Sequence, residues 1–189
     1  MTKAAHTDKE LIINLLVNSF NDNKSVNYIL KQDSKRQQRL RQLMEYSYEI
    51  CNLYGDVLLS HNKKACALLM FPDKKRTTIK SIMLDAKFAI NCLGFSNIKN
   101  AMNREAAIKK IHPKGLIYYL WFIGVETSEQ GKGLGSQLME KIIAEAKKMN
   151  RTICLETSTL KNIPWYKKLG FKIYNELDFG YKLYCMKLE

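Results

Sequence analysis

The ten residues Leu116–Val125 (LIYYLWFIGV) form a nearly uninterrupted apolar and aromatic run without a single charge. A membrane span needs roughly 20 such residues, so this shorter run belongs inside a protein core. It reads as a central strand buried on both faces, which requires helices on both sides of its sheet. The turn His112-Pro113-Lys114-Gly115 launches it, and the polar stretch Glu126–Glu129 ends it. Leu134, Leu138, Ile142 and Ile143 then predict an amphipathic helix that ends near Asn150.

The flanking segments extend this pattern. A short strand near Lys3–Ala5 precedes a helix that starts at Thr7-Asp8 and carries Leu11, Leu15, Leu16 and Phe20 at helical spacing. A second helix is predicted from Asp33-Ser34, with Leu40, Leu43, Met44, Ser47, Ile50 and Cys51 on one side and Gly55-Asp56 as its stop. Val57–Ser60 and Ala65–Phe71, separated by His61-Asn62-Lys63, carry a hairpin signature. Thr77–Ile111 is helical again, broken near Gly94. Thr152–Thr157 reads as a strand, Ile163–Leu169 as a short helix and Phe171–Leu188 as a strand pair. Strands and helices alternating around one sheet give an α/β (α+β) class. Without repeats or a flexible linker, residues 1–189 are expected to form one domain, with a basic helical insertion at about 72–114.

Charge narrows the partners. The chain holds 31 Lys and Arg against 18 Asp and Glu, a formal net charge of +13. Such a surplus points to nucleic acid, a membrane surface or a small polyanion. It is unevenly placed: residues 1–114 hold 20 basic against 10 acidic side chains, residues 115–189 only 11 against 8. A hydrophobic content of 46% excludes a disordered tail. Cys51, Cys66, Cys92, Cys154 and Cys185 are scattered and odd in number, so neither a disulfide framework nor a zinc knuckle is expected. His6, His61 and His112 stand alone, which leaves no metal-ligand cluster. The N-terminus is polar, and a reduced, cytoplasmic protein is expected.

The chemistry concentrates after the central strand, in Gln130-Gly131-Lys132-Gly133-Leu134-Gly135. Glycines let backbone N–H groups approach an anion, and the helix N-terminus that follows adds unpaired donors and a favourable dipole. A phosphate-bearing ligand is the natural occupant. A Walker loop needs Ser or Thr directly after Gly-Lys, where Gly133 stands. A dinucleotide fingerprint needs glycine at Ser136 and an early position in the chain, although Glu156 lies at the right distance for its acidic residue.

These residues resemble the GCN5-related N-acetyltransferase (GNAT) superfamily. Its Gln/Arg-x-x-Gly-x-Gly/Ala signature between a central strand and a helix is matched by Gln130, Gly133 and Gly135. Its Asn-x-x-x-Tyr-x-x-x-Gly-Phe segment is matched by Asn162, Tyr166, Gly170 and Phe171. The two motifs cover about residues 115–175. The resemblance implies a central mixed, twisted sheet with flanking helices, and acetyl transfer from acetyl-CoA, a co-substrate bound without a metal, to a small-molecule or peptide amine. It also allows a homodimer, and it implies no specific nucleic acid and no membrane.

Carried over residue by residue, the backbone around Ile123, Gly124 and Val125 would pair with the pantetheine amides. The N–H groups of Gln130, Gly131, Lys132, Gly133, Leu134, Gly135 and Ser136 would hold the diphosphate, and Asn162 the pantetheine arm. Lys132 and Lys161 fit either extra phosphate contacts or solvated lysines. Tyr166 matches the family's acid for the departing thiolate; its alternative is an interior aromatic. Histone-type members carry a glutamate eleven residues before the motif's Gln/Arg, and that position here is Tyr119. No carboxylate occurs in Leu116–Val125, which leaves Glu156 as the family-compatible base or as a strand-end carboxylate with a structural partner. The helical segment from Pro72 to Lys114 would form a lid or wall over the acceptor. Tyr28, Tyr46, Tyr48, Tyr118, Trp121 and Trp165 are candidates for that pocket or for the core. Two other classes stay open: a non-catalytic CoA-binding or regulatory module of the same fold, and a basic nucleic-acid-binding protein.

Overall fold

The computed structural model describes residues 1–189, the side chains of Phe95 and Ser96 excepted. In chain order the elements are β1 (Thr2–Lys3), α1 (Lys9–Phe20), α2 (Lys24–Ile29), α3 (Arg36–Tyr54), β2 (Gly55–Leu59) and β3 (Ala65–Met70). They continue with α4 (Ile79–Phe88), α5 (Gly94–Ile111), β4 (Ile117–Val125), α6 (Leu134–Lys148), β5 (Thr152–Thr157), α7 (Ile163–Lys168), β6 (Lys172–Asp178) and β7 (Lys182–Leu188). The strands form one mixed sheet in the order β1-β2-β3-β4-β5-β7-β6. Every neighbouring pair is antiparallel except β4 and β5, which α6 connects as a βαβ unit.

The apolar run is the middle of this sheet, as its composition requires. One face of the sheet packs against α1 and α3 through Ile12, Leu16, Leu43, Tyr48, Leu68 and Phe122. The other packs against α6 through Leu138, Met139, Ile142, Leu69, Tyr118 and Leu155. Nearly every position of β4 is buried or half-buried, because both faces are covered. All five cysteines are buried, free thiols. Among the described residues, no helix is long and apolar enough to cross a membrane.

Three local features add to the expected pattern. α2 was not anticipated: it is one short segment capped by Asn23, whose Oδ1 accepts from the Val26 N–H at 3.1 Å. Gly55 ends α3 as its C-cap, as expected, and at the same time opens β2 in an extended conformation (φ −165°). A Cβ there would lie 1.9 Å from the Leu69 carbonyl oxygen, so this glycine serves close backbone approach. The break near Gly94 is a π-helical turn over Ala89–Leu93, with Gly94 at φ 65°. Arg39 on α3 anchors that turn by donating from Nη1 to the Asn91 carbonyl at 2.5 Å, while Nη2 holds Asp33 at 2.9 Å.

Candidate active site

The site starts from a defect in strand pairing. β4 and β5 pair only through Ile117–Tyr119 against Thr152–Cys154. Against β3, Leu120 and Phe122 of β4 pair with Leu69 and Leu68, which leaves Trp121 without a partner. This is a β-bulge, which bends a strand and resets its alternation. Accordingly Tyr119 and Phe122 belong to the α1/α3 side of the core, and Leu120 to the α6 side. Beyond the bulge β4 has no described partner on its β5 side, and Leu155–Thr157 of β5 pair only with β7. Two strand edges thus face each other across a splay with unpaired backbone donors and acceptors.

The glycine loop stands at the mouth of this splay. Gln130 reaches back and donates from Nε2 to the Val125 carbonyl at 3.2 Å. Gly133, the N-cap of α6, sits at φ 85° with open space where a side chain would project. The left-handed turn leaves the first-turn N–H groups of α6 facing outward; the first intrahelical bond recorded there is Gln137 N–H to the Gly133 carbonyl. Trp165 of α7 closes against Gly135 and donates from Nε1 to Ser136 Oγ at 2.9 Å. Gly124 lies where α1 crosses β4, within reach of Leu15, Leu16 and Ser19. Lys132 Nζ is 3.2 Å from Glu129, so it has a local carboxylate partner. Lys161 is exposed.

Inside lies a cavity of about 570 Å³. Of the sequence-predicted residues it gathers Ile123, Glu156, Asn162 and Tyr166, whereas Gly124, Val125 and Gln130 through Ser136 lie outside its lining. Tyr166 is 5% exposed, and burial pushes its phenol well above the ordinary value. It therefore keeps its proton at neutral pH. Phe88, Ala89, Leu93, Met102, Arg104 and Glu105 bring the insertion over the cavity as a wall. Of the aromatic candidates, Tyr46 and Trp121 line the cavity and meet edge to face, ring centroids 6.1 Å apart. Tyr48 and Tyr118 are core residues, the latter donating to Asp56. Tyr28 packs on Phe179 and Tyr181, and Trp165 is committed to Ser136.

Glu156 is the deepest group, its side chain 4% exposed. Tyr119 donates to its Oε2 at 2.5 Å. Burial and the Glu156 carboxylate push the Tyr119 phenol well above its ordinary value, which keeps it a donor. A tyrosine of β4 thus holds a carboxylate of β5 across the sheet. The other oxygen, Oε1, is buried without a partner, and so is Nε2 of His112, 3.8 Å away. A shift of about 1 Å closes a hydrogen bond between them. His112 ends α5 and faces a second cavity bordered by Lys75, Arg76, Glu105 and Tyr119. Neither Tyr119 nor His112 was a candidate site residue; the motif spacing marked position 119 only as the place where a glutamate is missing, and it is the sheet and the insertion that bring both residues to Glu156.

A mixed sheet opened beside its parallel pair, with a glycine-rich helix N-terminus at the opening and a phenol and a carboxylate within, defines the fold class of the N-acetyltransferases. The comparisons agree. Residues 89–173 match the family model for the acetyltransferase (GNAT) domain. Over 98% of its length it superposes on 93% of a histone acetyltransferase HPA2-related acetyltransferase from Corynebacterium glutamicum, at TM-score 0.71 and 21% identity. Arylalkylamine N-acetyltransferase 2 from Aedes aegypti matches over 99% of this chain and 96% of its own, at TM-score 0.64 and 16% identity. The Drosophila melanogaster polyamine N-acetyltransferase matches over 99% and 97%, at TM-score 0.64 and 12% identity. At these identities the likeness is one of fold.

Proposed function

We propose that this chain transfers an acetyl group from acetyl-CoA to a small primary amine. The observation that carries the reading is the splay between β4 and β5, which leads from the glycine loop into a cavity holding both Tyr166 and Glu156. The residues fit the ligand: outward N–H groups at Gln130–Ser136 suit a diphosphate, and the free edges near Ile123 and Leu155 suit an amide-bearing arm. Asn162 lines the path between them. In this reading residues 1–189 form one acetyltransferase domain, and 72–114 is the acceptor-side wall. The solved relatives named for polyamines and arylalkylamines support a small amine as acceptor.

The reaction makes a C–N bond and breaks a C–S bond, so one proton must leave the amine and one must reach the thiolate. Glu156 accepts the first, directly or through one water, and His112 behind it passes the proton toward the second cavity. A strand N–H in Phe122–Gly124 faces the carbonyl oxygen as charge develops there. Tyr166 donates to the departing sulfur. The test is incubation with acetyl-CoA and a panel of amines while free thiol is followed. Thiol release that depends on the amine is expected. Binding of acetyl-CoA without release on a broad panel would favour the non-catalytic module, and no binding at all would overturn the reading.

A further inference from the structure

We infer that the acceptor cavity recognises an amine that also carries a carboxylate, and that Arg104 binds that carboxylate. The inference rests on the acetyl-transfer reading only for the identity of the amine end. Arg104 projects from α5 into the cavity wall. Its Nε donates to Tyr181 Oη at 3.1 Å and its Nη2 to Ser25 Oγ at 2.7 Å. These fix the fork between α2 and the β6–β7 turn, and Tyr28 braces Tyr181 from behind, ring centroids 5.4 Å apart. Among the described residues, Nη1 donates to no protein atom and the guanidinium makes no ion pair.

That distinguishes Arg104 from the other partly enclosed arginines. Arg39 has Asp33, and Arg151 has Asp73. Arg36, which also lacks a carboxylate, has both terminal nitrogens on amide oxygens. Glu156 acts on the guanidinium at longer range without contacting it, and an enclosed cation with no carboxylate in contact is unfavourable unless a ligand supplies one. Guanidinium geometry matches a carboxylate with two parallel hydrogen bonds. The diphosphate is not the candidate anion, because the glycine loop that suits it lies outside this cavity's lining.

The same cavity holds a carboxylate, Glu156, for the amine end, and apolar lining from Phe20, Tyr46, Phe88, Trp121 and Phe122. A cation, an anion and aromatic walls around one cavity describe a zwitterion with an apolar body. The acceptor class is therefore an amino acid or a related amino-carboxylate with an aromatic or large aliphatic side chain.

The test uses the full chain with acetyl-CoA and matched ligands: phenylalanine, phenylalaninamide, phenethylamine and 3-amino-3-phenylpropanoate. Affinity is read by calorimetry and turnover by thiol release. The two carboxylates should bind roughly 10- to 100-fold tighter than the amide and the amine, the range for a hydrogen bond to a charged group. Which carboxylate binds tighter reports the amine-to-carboxylate spacing. Arg104→Gln should bring phenylalanine down to the affinity of phenethylamine, and Arg104→Lys should restore part of the preference. Equal binding of phenylalanine and phenethylamine by the unmutated protein overturns the proposal without any variant. Equal weakening of all four ligands by Arg104→Gln, or weakened acetyl-CoA binding, also overturns it. Carboxylate-selective binding without thiol release supports the Arg104 site and counts against acetyl transfer; turnover without that selectivity does the reverse.

Discussion

In the proposed reaction, position turns Tyr166 and Glu156 into a proton-handling pair. Burial raises the Tyr166 phenol, which makes it a persistent donor, and its hydroxyl has no recorded protein partner in a cavity that needs one at the sulfur. Tyr166→Phe should lower kcat by about 100-fold and leave acetyl-CoA affinity nearly unchanged; near-normal thiol release would remove the acid role. Glu156→Gln should lower turnover by a similar factor, roughly 100-fold, with partial recovery at high pH where the acceptor amine is already neutral. His112→Phe should give a smaller loss concentrated in the lower pH range, because an amine that arrives protonated must shed an extra proton before it can attack, whereas a neutral one releases only the proton lost on C–N bond formation. A flat ratio of variant to unmutated rate across pH would sink the relay. Tyr166 and Asn162 were legible because they share one short motif. Tyr119 and His112 were not, since their partnership with Glu156 exists only after three distant segments converge. Lys132 was legible as a cation, but its Glu129 partner is a detail of loop geometry.

At the scale of elements, periodicity predicted the long helices and the hairpin because each has an apolar face that must be buried. α2 escaped because a six-residue helix with Val26 as its buried residue carries no period. The bulge at Trp121 escaped because a uniformly apolar strand has no alternation to interrupt. Gly55 was legible as a helix stop, and α3 does end there; what its residue type did not disclose is contact, since β2 begins there with backbone pressed on backbone. Gly55→Ala should therefore cost about 2 to 3 kcal/mol, since a main-chain carbonyl cannot move aside as a side-chain tip can. Urea unfolding with an unchanged m-value checks this; a loss near zero would mean that the β2–β3 hairpin can shift its register at that end. The hairpin carries Met70 and its neighbours to the cavity floor, so this position links stability to the site.

For the whole molecule, the question is where binding energy enters the fold. The sheet is continuous except at the splay, where β4 and β5 hold three residue pairs and then separate. The surplus of +13 lies mostly upstream of residue 115, so in the proposed reading the diphosphate would be held by backbone N–H groups rather than by a lysine cluster. Residues 1–114 supply most of the cavity lining, where Lys75, Arg104 and Lys109 stand beside Asp85 and Glu105. A ligand that bridges the splay supplies the missing pairing and stabilises the native state by mass action. At a concentration one hundred times Kd, acetyl-CoA should add about 2.7 kcal/mol. For a chain of this size that corresponds to a rise in Tm of about 5 to 10 °C. Hydrogen exchange should locate the gain: protection should increase at Leu120–Val125, Leu155–Asn162 and the first turn of α6, and stay unchanged along β2 and β3. A rise in Tm with uniform protection, or with protection confined to α4 and α5, would mean that acetyl-CoA binds elsewhere and that the splay has another occupant.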